Sequence, residues 1–231
     1  MICGWSKSAL EWFKGIGPSP LQPLGESPLY PQGCTSAMTL LLASASSIRA
    51  AMLTAAGVDY EVDPARVDED AIKLAYHGDD AGLAKALAGA KALEASARHS
   101  GNWVIGSDSV VSVDGRRFDK PVTREEAAAH LRSFSARGLR LTSAVALAID
   151  GRLEWAHSDD AILHVRTLSD NFIHTYLEME WPAVGHCVGV FRMEGRGVTM
   201  FDRVEGNHFT ILGMPLIPLL GALRDRELMA A

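Results

Sequence analysis

Basic charge is in short supply in this 231-residue chain: 22 lysines and arginines face 28 acidic side chains, giving a formal net charge of −6. That balance offers no general attraction to a polyphosphate backbone or an anionic bilayer, so no nucleic acid polymer is expected as partner. Cysteine is scarcer still. Cys3, Cys34 and Cys187 are an odd number, form no C-x-x-C pair and cannot build a disulfide framework, which fits a reducing, cytoplasmic setting. No apolar run reaches 18 residues, so no membrane span is expected. The eight histidines lack H-x-x-x-H and H-E-x-x-H spacing, and neither G-x-x-x-x-G-K-[ST] nor G-x-S-x-G occurs. Zinc hydrolase, P-loop and serine-elbow chemistries are therefore disfavoured.

What is present is a composition that can bury a full core, 48% apolar and 22% charged. Residues 1–37 stand apart, holding five of the ten prolines and two of the five tryptophans without sustained periodicity. They also lack the basic and apolar regions of a signal peptide. They are read as a poorly ordered N-terminal extension, consistent with an upstream start, with the folded domain over 38–231.

From residue 39 the pattern alternates between strand and helix. Thr39 to Ala43 reads as a buried strand, Ser46 caps a helix to about Ala56, and Gly57 stops it. Val58 to Val62 reads as a strand, Pro64 to Asp70 as an acidic loop, and Ala71 to Ala97 as two helices split at Gly78-Asp79-Asp80. Strands at Trp103–Gly106 and Val110–Val113 flank an interruption, and Asp114-Gly115 marks a hairpin to Arg116–Phe118. Thr123 and Glu126 form a capping box, and Asp150-Gly151 tips a longer hairpin joining Leu139–Ile149 to Arg152–Arg166. Ser169 caps a further helix, strand character returns at Val188–Arg192 and Val198–Arg203, and a helix follows Pro215. Long hairpins mixed with crossover helices predict an α/β domain on a mixed sheet.

Three local features could carry chemistry. Ser44-Ala45-Ser46-Ser47-Ile48-Arg49 puts hydroxyls, free N–H groups and a cation at a helix N-terminus, which suits a phosphate as well as an ordinary serine cap. Val67-Asp68-Glu69-Asp70 gathers carboxylates that could hold Mg²⁺ or face water. Ile105-Gly106-Ser107-Asp108-Ser109 sets an aspartate between apolar strand runs, where it either does chemistry, binds metal or caps structure. Lys120 follows the next hairpin, in a position to share a cleft with Asp108.

Taken in order, these segments resemble the Maf family of nucleoside triphosphate pyrophosphatases from Leu41 to about Leu223. The carrying motifs are Leu42-Ala43-Ser44-Ala45-Ser46 with Arg49, Val67-Asp68-Glu69, Ala90-Lys91-Ala92, Ile105-Gly106-Ser107-Asp108, Lys120-Pro121, and Glu205-Gly206 with Gly213-Met214-Pro215-Leu216. The resemblance implies an elongated α/β fold whose long hairpins and flanking helices form two lobes around a deep cleft, as a homodimer. It implies hydrolysis between the α and β phosphorus atoms, giving a monophosphate and pyrophosphate, with Mg²⁺ or Mn²⁺. By position, Asp108 matches the proton acceptor and a metal ligand, and Glu69 the other metal ligand. Ser44, Arg49, Lys91 and Lys120 match the triphosphate path, and Ile48, Ser109 and Glu194 fall where base choice is set. His186-Cys187-Val188-Gly189 with Glu194-Gly195 is similar to the 7-methyl-GTP subgroup, while dTTP/UTP members show Asp-Lys-Ala-Gly and Gln-Gly there. Ile48 and Ser109 replace residues usually larger or more polar, and Ala136-Arg137-Gly138 stands where Ser-Gly is usual.

The alternatives are a dTTP/UTP pyrophosphatase, or a nucleotide-binding regulator of septum formation without turnover. A sensor has no need of a general base, so Asp108 with Glu69 and both lysines favours the enzyme. Removing residues 1–37 is expected to leave melting temperature and turnover unchanged; a large loss of either would place those residues in the functional fold.

Overall fold

The computed structural model describes residues 39–230. The N-terminal extension lies outside the described residues. A seven-stranded mixed sheet runs β2-β1-β3-β5-β6-β7, with β4 paired to β3 off that path. Its strands are β1 (Leu40–Leu42), β2 (Glu61–Val62), β3 (Trp103–Val113), β4 (Arg116–Phe118), β5 (Gly138–Ile149), β6 (Arg152–Val165) and β7 (Phe201–Glu205). β1 pairs parallel to β2 and β3, and every other pairing is antiparallel. The helices are α1 (Ser47–Ala55), α2 (Glu69–Ala75), α3 (Asp80–Arg98), α4 (Arg124–Phe134), α5 (Asp170–Glu180), α6 (His208–Ile211) and α7 (Leu216–Arg224). This is the mixed α/β architecture that the hairpins and crossovers predict.

Local signals place most boundaries. Ser46, Asp68, Asp79, Thr123 and Ser169 each accept a backbone N–H at the start of a helix. Both hairpins turn on Asp-Gly with positive φ at each residue, +50° and +78° at 114–115 and +50° and +69° at 150–151. Five expectations need correction. The 58–62 strand shrinks to Glu61–Val62, and the acidic loop yields to α2 already at Glu69, capped by Asp68. β3 runs unbroken through Asp108, because ten consecutive residues pair with β5 and outweigh the poor strand propensity of the Gly-Ser-Asp-Ser stretch. Val188–Arg192 forms no strand, and the last strand begins only at Phe201 after a 3₁₀ turn at Arg196–Met200.

Alternation along β3 and β5 gives the sheet two different faces. On one, Ile105, Val145 and Leu147 join β1, α1 and α7 in one apolar core, while Val111, Val113, Leu139 and Leu141 join α4 and α5 in another. Ser107, Ser109 and Ser143 separate the two cores, and Ser109, Ser143 and Asp159 lie directly opposite one another on β3, β5 and β6. The other face is built of small residues: Gly106, Ala144, Ala146 and Ala148 receive Ala84, Leu87, Ala88 and Ala92 of α3.

This smallness sets how closely α3 approaches. A Cβ on Gly106 would sit 2.1 Å from the Ala88 carbonyl oxygen and 2.6 Å from Ala92 N. Both obstacles are backbone, so relief requires moving the helix. Gly106→Ala is expected to cost about 3 kcal/mol, at the upper end of overpacking effects. Urea unfolding would check this, and a variant within about 0.5 kcal/mol of wild type would show that α3 can shift freely.

Candidate active site

The site begins with a gap in the sheet. Along one edge of β3, β1 pairs only as far as Ile105 and β4 takes over only at Val111. Residues 106–110 between them pair with β5 alone. Side chains alternate across this open stretch, so Asp108 faces α3 while Ser107 and Ser109 face the opposite side. The gap opens into a cleft of about 660 Å³ lined by Ser44, Ile48, Arg49, Glu69, Lys91, Asp108, Ser109, Lys120 and Glu194. All nine side chains singled out from the sequence therefore line one cavity.

Lys91 reaches the cleft from the middle of α3, three residues after the helix passes Gly106. Its ammonium donates to Asp108 Oδ1 at 3.0 Å and lies 2.7 Å from Glu69 Oε1. The Lys91 and Asp108 side chains are each only 13% exposed. Burial raises the Glu69 carboxyl, but the Lys91 hydrogen bond and the charges of Lys91, Lys120 and Lys73 outweigh it and hold its pKa below the usual range. Asp108 Oδ2 and Glu69 Oε2 have no hydrogen-bond partner among the described residues, and one Lys91 N–H is likewise uncommitted.

Arg49 is engaged differently. Its Nε donates to Gly213 O at 2.9 Å, Nη1 to Ser107 O at 2.8 Å and Ser44 Oγ at 3.2 Å, and Nη2 to Ser109 Oγ at 3.3 Å. Four of its five N–H groups thus serve the protein, and one is left. Burial lowers the guanidinium's hold on its proton, opposed by the carboxylates of Asp108 and Glu69. Lys120 makes no ion pair among the described residues and is exposed, so all three of its N–H groups remain available.

The sequence assigns no role to Ser143, Thr210 or the Gly213 carbonyl, yet all three shape the site. Ser143 Oγ donates to Thr210 O at 2.8 Å, and because a carbonyl only accepts, that contact takes its single proton. The 2.8 Å contact between Ser109 and Ser143 is therefore donated by Ser109. Ser109 also accepts from Arg49, so it presents the cleft with a lone pair and no proton. Thr210 Oγ1 closes the chain by donating to Asp159 Oδ2 at 2.8 Å. The one sequence signal for this row is Thr142-Ser143 inside an otherwise apolar strand run. Gly213 adopts a φ of +98°, which turns its carbonyl toward Arg49, Ser107 and Ser109.

The segment 186–194 supplies the far wall with His186, Cys187, Gly189, Arg192 and Glu194. Burial, reinforced by the Glu194 charge, pushes the Cys187 thiol up, so it stays protonated and is no nucleophile. Four cations, Arg49, Lys91, Lys120 and Arg192, line the cleft against three carboxylates. The acidic net charge of the chain does not describe this surface.

The Maf-like protein family matches residues 39–226. A nucleoside triphosphate pyrophosphatase of Granulibacter bethesdensis is 44% identical over 193 residues, 82% of this chain and 98% of the relative. One from Sphingopyxis alaskensis is 46% identical, covering 81% and 96%. A 7-methyl-GTP pyrophosphatase of Rhizobium etli is 41% identical, covering 80% and 95%.

Replacing Arg49 by Lys keeps a cation but loses the planar fork that reaches the Gly213 and Ser107 carbonyls together with Ser44 and Ser109. A loss of about 2–4 kcal/mol is expected, from charged hydrogen bonds worth roughly 1.5–3 kcal/mol each. Wild-type resistance to urea in this variant would remove the guanidinium from its structural place.

Proposed function

This chain belongs to the Maf family, and from that premise we propose that it hydrolyses a nucleoside triphosphate to the monophosphate and pyrophosphate. The observation that carries the reading is the Lys91–Asp108–Glu69 cluster at the stretch of β3 that is open along one edge, in one cleft with Arg49 and Lys120. Asp108 is fixed through Oδ1, which leaves Oδ2 to accept a proton from the water attacking the α-phosphorus. The remaining N–H of Lys91, the three of Lys120 and the last of Arg49 are the donors offered to triphosphate oxygens, where charge grows as the bond to the leaving group stretches. Ser44 Oγ accepts from Arg49 and Ser46 N and keeps its own proton for the same use.

A resident metal is not what the donor set fits, since no group of three or more His, Cys, Asp or Glu suited to a metal occurs among the described residues. Two carboxylates with free oxygens do fit Mg²⁺ or Mn²⁺ carried in with the substrate, because such ions take one or two carboxylates and complete their shell with phosphates and water. Glu69 and Asp108 would hold it, and it would supply charge neutralisation on the phosphates.

The base is proposed to be guanine-like, with 7-methyl-GTP or another modified nucleotide as substrate. Glu194 is an acceptor, and Ser109, whose proton points to Ser143, is another. Guanine presents N1–H and an exocyclic amine to such groups, whereas uracil and thymine offer a single N–H between two carbonyls. Ile48 adds an apolar contact at the cleft wall.

Incubation with 7-methyl-GTP, dTTP, UTP and ITP in the presence of Mg²⁺, with products resolved, is expected to yield pyrophosphate and monophosphate, fastest from the guanine nucleotide. Release of orthophosphate alone would sink the reaction, and preference for dTTP or UTP would sink the base assignment. Asp108→Asn is expected to lower turnover by at least about 100-fold, in line with removal of a general base, while unfolding as wild type.

A further inference from the structure

The cleft wall that carries Glu194 is irregular backbone, and its own sequence does not explain its shape. Val190 is β-branched and fully buried, yet holds a φ of +55°, where a branched side chain is unfavourable. Gly197 is packed so tightly under Arg192 that a Cβ there would come within 2.6 Å of Arg192 O and 2.7 Å of Arg192 N. Arg192 Nε is buried with no acceptor. Something outside the segment must hold it.

The holding contacts come from α5. Tyr176 and Glu180 stand four residues apart, and both are buried on the same helix face. Tyr176 O–H donates to the Val190 carbonyl at 3.0 Å. Glu180 Oε2 accepts from Arg192 Nη2 at 2.9 Å, and Arg196 Nε lies 3.8 Å from Glu180 Oε1. The Glu180 side chain is 6% exposed, while Arg192 extends to the cleft two residues before Glu194. Only the Glu180 end of this pair is buried, the Arg192 side chain being 40% exposed, and a pair that takes a carboxylate out of water is poor at adding net stability compared with apolar packing; its best attested use is to fix one geometry among several. Here it grips the turn that presents Glu194.

We propose that Glu180 is a positioning residue for the substrate base: through Arg192, with Tyr176 as a second anchor, it fixes the turn at 190–194 and hence the place of the Glu194 carboxylate in the cleft. The proposal rests on the pyrophosphatase reading and goes beyond it by assigning base discrimination to a residue that touches no substrate. The proposed base Asp108 and its partner Lys91 stand on β3 and α3, away from α5 and the 190–194 turn, so discrimination and turnover respond to different parts of the fold.

The test measures kcat and KM for pyrophosphate release from the nucleotide panel with wild type, Glu180→Gln and Arg192→Lys, together with melting temperatures. Glu180→Gln is expected to raise KM for the preferred nucleotide by about tenfold or more, hold kcat within about threefold and compress the selectivity between nucleotides. Arg192→Lys keeps a cation opposite Glu180 and is expected to retain part of the discrimination. Should the single glutamine variant not fold, the double variant Glu180→Gln with Arg192→Gln leaves no unpaired buried charge and is expected to show the same loss of selectivity. Unchanged selectivity in a folded Glu180→Gln or double variant overturns the role of Glu180 alone. A wild-type protein that releases no pyrophosphate from any nucleotide overturns the activity itself, and this role with it.

Discussion

A row of three polar side chains crossing the sheet is the constraint on which the cleft depends. Ser109, Ser143 and Asp159 occupy directly opposed positions on β3, β5 and β6, between two apolar cores that could otherwise merge. Buried polar groups are tolerated only when satisfied, and here each finds a partner beyond the row: Thr210 accepts from Ser143 and donates to Asp159, and Arg49 donates to Ser109. Satisfying the row therefore dictates where α1 and the turn after α6 must sit. Because Arg49 also binds Ser44 and the Ser107 carbonyl, the same requirement seats the first strand-to-helix loop against the open edge of β3.

The opposite face reaches the same place by different means. The polar contacts between α3 and strands β3 and β4 lie at its rim, where Asp80 accepts from Ser112 and Arg117 and Lys91 donates to Asp108, while the centre is apolar. Closeness comes from absent side chains, with Gly106 under Ala88 and Ala92, and the alanines of β5 beneath the rest of the helix. Bulk there would lift α3 and lengthen the 3.0 Å contact that fixes Asp108 Oδ1. One face thus uses hydrogen-bond obligation and the other steric allowance, and successive residues of one strand, Asp108 and Ser109, collect the result.

Much of this is legible in the amino-acid sequence itself. Cap residues Ser46, Thr123 and Ser169 place three helix starts, and two Asp-Gly pairs place the hairpins, because both are local devices whose geometry is set by neighbouring atoms. The nine site residues stand out by their order along the chain and do converge on one cleft. What is not legible is long-range. Ser107 to Ser109 reads as a break between strands because propensity disfavours a strand there, whereas ten consecutive pairings with β5 decide the matter. Val188 to Arg192 reads as a strand for the converse reason: its branched residues suit one, but Tyr176 and Glu180 hold the chain in a turn with Val190 left-handed instead. Arg49 reads as free to hold phosphate, and no local pattern reveals that four of its five donors are committed within the protein.

This division of labour bears on how the family can vary. Two of the groups proposed to act on phosphate, Asp108 and Lys91, lie on a long strand and a long helix, where position is defined by ladders and by backbone contact and tolerates little change. The acceptors proposed to read the base lie either on the far side of that strand, as Ser109, or on an irregular segment held at two points by α5, as Glu194. A substitution in the segment, or in the helix behind it, can move Glu194 without disturbing Lys91 and Asp108, since no hydrogen bond or ion pair among the described residues links the two groups directly. Base preference is then free to diverge among relatives that keep one hydrolytic centre. That is the pattern expected when binding energy for the base and stabilisation of developing charge at phosphorus come from separately supported walls of a single cleft.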